Sequence, residues 1–363
     1  MKRVSGFQQK QIKNCHEPAC TIDRCTNANF NQPFGCHKIA WKIHDFFAML
    51  FLVSSLFFFG CDDEKSENEP PATYPTIDRT TKLPPDITKR IPQTDHHPPI
   101  LYSDEFEDPV PLPAGINTSG GEDSPFILPD GNTMYFFFTP DVRVPAEQQI
   151  LDSVTGLWVS LKVNNNWEPA TRCWLQEPGK LSMDGAVSIQ GEEMWFASVR
   201  EGYVGPNIFT AEWIVDKWTN WTYAGDRLMK EIQIGEVHIH GNDLYFHSAR
   251  TGGLGSYDIW ITTRNGDNWS DPVNIQTINS SEMDGWPFVN SEGTELWFTR
   301  VYLGTPAIFK SLKSENSWGE PEIVLSQFAG EPTLDEAGNL YFVHHFYENS
   351  VMIEADIYVA FKK

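Results

Sequence analysis

The chain has 363 residues, with 49 Asp or Glu against 27 Lys or Arg and a formal net charge of −22. Beyond residue 60 the balance is 20 basic against 46 acidic residues. Such a surface repels phosphate backbones, so nucleic acid is excluded as the expected partner. An aromatic share of 13%, with 13 Trp, suits sheets that stack through large side chains.

Residues 1–45 carry Cys15, Cys20, Cys25 and Cys36 beside His16 and His37. Their C-x4-C-x4-C-x10-C spacing lacks the close cysteine pairs of a structural zinc site. This stretch reads as an extension upstream of a later translation start near Lys42 or Met49, or as disorder, and no metal is expected. Residues 46–60 are an uncharged apolar run ending at Gly60-Cys61. The run is short for a membrane-spanning helix but suits the core of a signal peptide. Together with the acidic residues that follow, it resembles a bacterial lipoprotein signal. The resemblance implies a lipidated Cys61 as mature N-terminus, export, and anchoring in the periplasm, on the outer membrane or at the cell surface. An uncleaved N-terminal anchor is the alternative. Residues 62–99, rich in Pro, Asp, Glu, Thr and Lys, read as a disordered tether.

From residue 100 to 363 one unit repeats. An aliphatic–aromatic pair recurs as Leu157-Trp158, Ile208-Phe209, Ile259-Trp260, Ile308-Phe309 and Ile357-Tyr358, at spacings of 51, 51, 49 and 49. Trp167, Trp218, Trp269 and Trp318 each follow nine positions after the aromatic of the first four pairs. A third series is Tyr135-Phe136, Trp195-Phe196, Tyr245-Phe246, Trp297-Phe298 and Tyr341-Phe342. A period near 50 is the size of one four-stranded propeller blade, so the expected fold is all-β, a five-bladed β-propeller. The third repeat shows the blade most clearly. Glu236–His240 alternates as an inner strand, Gly241-Asn242-Asp243 is a hairpin turn, and Leu244–Ser248 is the second strand. Asp258–Thr263 is the third strand and Trp269–Ile275 the outer one, where Pro272 is tolerated because an edge needs no donor. The lone cysteine past Cys61, Cys173, reads as a buried strand residue.

These marks, including Pro125, Asp130-Gly131, Gly252-Gly253, Asp258-Ile259-Trp260, Trp269 with Pro272, and Trp318 with Pro321, are similar to the TolB-type, WD-repeat-like β-propeller family. The resemblance implies a fold and an export setting, in a family whose exported members mainly bind proteins or ligands. The fifth repeat ends before its expected tryptophan, while Phe106–Leu112 matches Trp269–Ile275 and Ile116-Asn117-Thr118 matches Ile278-Asn279-Ser280. The N-terminal segment is therefore expected to complete the last blade and close the ring.

Strand one begins, and strand two ends, on the same face of each blade. At the first place stand Glu122, Asp184, Glu236, Asp284 and Glu331, and at the second Arg200, Arg250, Arg300 and His344-His345. Together with His238 they are the candidate ligand-binding residues of one channel mouth. The same set also reads as structural acid–arginine pairs and turn caps that repeat because the blade repeats. The expected role is a monomeric binding module for a protein or carbohydrate ligand, without cofactor and without catalytic residues. Two enzymatic alternatives stand beside it. A five-bladed glycoside hydrolase would use two axial carboxylates. A metal-dependent polysaccharide lyase would use His238, His240, His344 and His345. The insertion 140–155 lies on the same face as the acids and is either a binding loop or a plain insertion.

Overall fold

The computed structural model describes residues 73–363 apart from residue 316. The expected extension 1–45, the signal segment with Cys61, and positions 62–72 of the expected tether lie outside the described residues. The fold is nearly all β and of propeller type, built from consecutive antiparallel units.

In chain order, β1 (Ile100–Leu101) and β2 (Val110–Pro111) precede the first unit, β3 (Gly121–Ile127), β4 (Thr133–Thr139) and β5 (Gly156–Val163), with β6 (Asn166–Trp167) and β7 (Thr171–Arg172) on β5. The next is β8 (Ser182–Gln190), β9 (Glu193–Arg200), β10 (Asn207–Ile214) and β11 (Lys217–Tyr223). Then come β12 (Val237–His240), β13 (Asp243–Ser248) and β14 (Asp258–Asn265), which carries β15 (Asn268–Trp269) and β16 (Val273–Asn274). β17 (Asp284–Val289), β18 (Glu295–Tyr302) and β19 (Thr305–Ser314) follow, with β20 (Ser317–Trp318) and β21 (Glu322–Ser326) on β19. The final unit is β22 (Ala329–Leu334), β23 (Leu340–Glu348) and β24 (Val351–Ala360).

The first strand of each unit is the inner one. These strands neighbour one another in the order β3, β8, β12, β17, β22, and β22 also lies beside β3. Because each sheet is covered on both faces, its strands are buried in runs rather than in alternation, as in β4, where six consecutive residues are buried. The turn from β12 to β13 needs a positive φ, and Gly241 supplies it at +62°.

The aromatic series of the sequence are the joints between sheets. The second-strand aromatic of one unit meets the outer-strand tryptophan of the next. Trp195 meets Trp269 edge-on at 5.6 Å, Tyr245 meets Trp318 at 6.3 Å, and Trp218 Nε1 donates to the Tyr135 hydroxyl at 3.1 Å. Trp297 has no such tryptophan to meet. In its place Phe106, fully buried, packs edge-on against it at 5.9 Å. The segment carrying Phe106 pairs with β24 as expected from the sequence: Val110 is opposite Val359, Pro111 opposite Tyr358, and Phe106 bridges Lys362. Asn117 then holds Ile357 through its backbone N–H and carbonyl, both at 2.9 Å. Asn279 holds Ile259 in the same way at 2.8 and 2.9 Å. Cys173 is buried, as expected, but it directly follows β7 rather than lying within a strand.

Residues 73–99 depart from the expected solvated tether. Arg79 is buried, with its Nη1 on Glu122 at 2.9 Å. The Lys89 ammonium is bonded to Glu354 and Asp356 on β24, and Asp95 Oδ2 lies 2.8 Å from His344 Nε2. Composition misleads here because three charged side chains are partnered by buried groups of opposite or polar character, so apolar residues are not needed to hold the segment down. We call residues 73–99 the strap.

Candidate functional site

The five acids expected at one repeat position occupy two. Pairing registers place Glu122, Asp184 and Asp284 opposite Phe138, Ser198 and Arg300, two residues before the bulge residue that interrupts these three inner strands. All three are fully buried and tied to backbone or hydroxyl donors. Thr118 N and Oγ1 donate to Glu122 at 2.9 and 2.7 Å. Ser280 N and Oγ donate to Asp284 at 2.7 and 2.8 Å, and Ser182 and Ser198 to Asp184 at 2.8 and 2.7 Å. Each also holds a guanidinium: Arg79 on Glu122, Arg200 on Asp184 at 2.7 Å, and Arg300 on Asp284 at 2.5 Å. The guanidinium groups lie over aromatic rings of the second and third strands, Arg200 at 4.1 Å from Phe209 and Arg300 at 4.8 Å from Phe309. These three acids therefore brace the blade: each is fully buried and accepts three hydrogen bonds from protein donors, which leaves none of them exposed to a ligand.

Glu236 and Glu331 belong elsewhere. Glu331 sits at the bulge itself, in line with Ser124, Ala186 and Trp286, and Glu236 takes the equivalent place after Gly235, directly before β12. The backbone is left-handed at Ser124, Ala186, Trp286 and Glu331, with φ of 46–55°, which turns these side chains to the axis. The position that would match Asp184 in the third repeat is Ile234, so Arg250 has no acid to brace. It lies over Trp260 at 4.8 Å and its Nη1 has no hydrogen-bond partner. His344 corresponds to Arg300 and is bonded to Asp95 of the strap.

Ser124, Ala186, Glu236, Trp286 and Glu331, one from each inner strand, line an axial cavity of about 50 Å³. Beneath them lies a layer of Pro and Val, including Pro125, Val187 and Pro332. Asp123, which the sequence reading passed over, faces the two glutamates. Burial would raise its carboxyl, but the hydrogen bond and charge of His345 outweigh that and hold it below the usual range, with His345 Nε2 3.7 Å away. Burial and then the negative charge of Asp123 push Glu236 up to about 8. Burial and the charges of Asp123 and Glu236 push Glu331 well above the ordinary value. Asp123 thus favours its ionised form, whereas Glu236 and Glu331 hold their protons to higher pH than a free glutamate. Burial, then Asp123, also raises the Tyr347 hydroxyl to about 12. Oε2 of Glu331 is buried without a hydrogen-bond partner, and the Trp286 indole is turned to Glu236. The site is therefore polar, recessed and unsatisfied in a protein that satisfies the carboxylates around it.

The histidines do not converge. His238 is buried on β12 against Phe288, at 4.7 Å between ring centres, and burial depresses it to about 3. His240 lies toward the opposite end of β12, 3.4 Å from the Ser291 carbonyl. Among the described residues no group of three His, Cys, Asp or Glu has the arrangement of a metal site. His247, not singled out from the sequence, accepts the Trp286 backbone N–H on Nδ1 at 3.3 Å, and burial lowers it to about 4. A Cβ on Gly235 would come within 2.4 Å of its ring. Aligning the repeats on Pro125, Pro287 and Pro332 rather than on the nearest acid is the signal that separates Asp123, Glu236 and Glu331 from the bracing acids.

No protein-family model matches the chain, and no curated protein matches it. Among solved structures it is similar to TolB from Acinetobacter baumannii at 12% identity and a TM-score of 0.41, over 69% of this chain and 56% of that one. It is similar to the endo-arabinase from Bacteroides thetaiotaomicron at 15% identity and 0.42, over 68% and 95%. A Dyadobacter fermentans protein of unknown function stands at 10% and 0.44, over 72% and 100%.

Proposed function

We propose that this chain is an exported, lipid-anchored five-bladed propeller, closed by residues 106–112, that acts as a binding module. Its recognition element is the axial cluster of Asp123, Glu236 and Glu331, which receives a single cationic group. One observation carries this reading: the five positions that line the mouth of the cavity, one from every repeat, break the repeat, whereas the layer beneath them keeps to Pro and Val. Glycine, proline and bracing acid recur because the blade needs them, whereas Ser, Ala, Glu, Trp and Glu share no structural role. The cavity is about 50 Å³, against roughly 300 Å³ or more for the pocket of a small-molecule ligand. It admits the tip of one side chain. Closure is supported by Phe106 in the place of the absent tryptophan and by Asn117 repeating the bonds of Asn279.

A glycoside hydrolase is the second reading, favoured by the split between an ionised Asp123 and a Glu236 raised to about 8, the division a general base and a general acid require. The experiment that separates the two is calorimetric titration of the purified propeller with Nα-acetyl-lysine methylamide and its neutral norleucine counterpart, beside incubation with arabino- and xylo-oligosaccharides. The binding reading expects heat with the lysine probe alone and no sugar release. Release of sugars that Glu236→Gln abolishes while the fold persists would replace it.

A further inference from the structure

We infer that the mouth is the centre of a protein-docking face whose occupant is a basic protein surface, one that presents a Lys or Arg within an apolar patch. The inference rests on the cation-binding reading above for its central contact, and on a different observation for its rim. Each inner strand starts, and each second strand ends, at the mouth, so the loops from second to third strand rise around it. Each of these five connections carries or adjoins one exposed aliphatic residue: Leu151, Val204, Leu254 and Leu303 lie within the loop, and Val351 directly follows it as the first residue of β24. Val204 is 92% and Leu303 85% exposed, and the others are more than half exposed. A single exposed aliphatic residue needs no explanation, but one on every loop of one rim does.

Leu303 adds a second line of argument. It occupies a two-residue turn with Gly304, at φ +50°. Asn or Gly suits that conformation, and a branched apolar side chain there is strained and solvent-exposed. Local physics disfavours Leu at this position, and contact with a partner accounts for it. The occupant follows from charge. A rim of aliphatic tips around ionisable carboxyl groups, on a chain with a formal charge of −22, opposes anionic lipid and complements a basic surface. The small cavity beneath fits the end of one cationic side chain, so the apolar contacts must be made by the surface around it.

The test uses the propeller with a 14-residue helical Leu/Lys peptide, its Ser/Lys counterpart, and vesicles of phosphatidylcholine with phosphatidylglycerol. The Leu/Lys peptide should bind about tenfold tighter or more than Ser/Lys, from apolar burial. Val204→Ser with Leu303→Ser, both exposed and compatible with the fold by circular dichroism, should erase that preference while leaving Ser/Lys binding in place. Equal binding of the Leu/Lys peptide by wild type and this variant overturns the docking face and leaves the carboxyl site standing. Vesicle binding that the same variant loses assigns the rim to a membrane and overturns the protein occupant. If Glu236→Gln leaves peptide affinity unchanged while the rim variant lowers it, the docking face stands and the cation-binding reading falls.

Discussion

Glu236 and Asp184 show how two acids at neighbouring positions come to differ. Asp184 is fully buried and receives Ser182, Ser198 and Arg200, so its charge is compensated. Burial, and then the charge of the carboxylate it faces, push Glu236 up to about 8. Its folded-state pKa lies above the ordinary value of 4.5, so its contribution to stability is complete below 4.5 and is lost as pH rises through about 8. Melting temperature should therefore fall across that window, and Glu236→Gln should flatten the fall; parallel melting curves for the two proteins from pH 5 to pH 9 would refute the assigned environment. Arg79 gives the opposite case. Arg79→Ala leaves Glu122 buried without its guanidinium and should cost about 3–5 kcal/mol in chemical denaturation. Adding Glu122→Gln should recover part of that loss, since the uncompensated charge is removed. Arg79 was not legible in the sequence, because nothing in a Pro- and Thr-rich stretch marks which arginine will reach an acid 43 positions away.

At the level of elements, the order, the turns and the inner and outer strands were legible because each repeat restates them. The third unit lies where Gly241, Asp258 and Trp269 placed it, and β2 pairs with β24 as the match between Phe106–Leu112 and Trp269–Ile275 implied. What the repeat obscured was register. A bulge inserts one residue without altering the pattern of apolar positions, so Glu122 and Glu236 looked equivalent until the strand pairings separated them. Closure makes its own prediction. Phe106→Ala removes a fully buried ring from the joint with Trp297 and should destabilise by roughly 3–5 kcal/mol. Asn117→Ala strands the Ile357 N–H, while the Ile357 carbonyl keeps the Leu112 N–H, at a cost of about 1–3 kcal/mol. If both variants unfold at the denaturant midpoint of the wild type, residues 106–117 do not complete the last sheet.

For the whole molecule, a scaffold of repeated joints surrounds one axis at which the repeat lapses. The architecture was legible because Trp, Tyr and Phe recur at fixed spacing; the site was not, because function resides where recurrence fails and a single sequence offers no second copy to compare. Asp123 illustrates the point: its counterparts Gly185, Gly235, Gly285 and Gly330 are all glycine, and only the fold brings it beside Glu236 and Glu331. The most direct measurement is the affinity for Nα-acetyl-lysine methylamide as a function of pH. Asp123, held below the usual range, is ionised near pH 6, and Glu236 joins it as pH passes about 8, while the probe keeps its charge up to about 10.4. Affinity should rise roughly tenfold between pH 6 and pH 9, and Glu236→Gln should hold it near the low-pH value throughout. An affinity that does not change with pH, or that rises equally in the variant, would contradict the axial carboxyl cluster as the binding site.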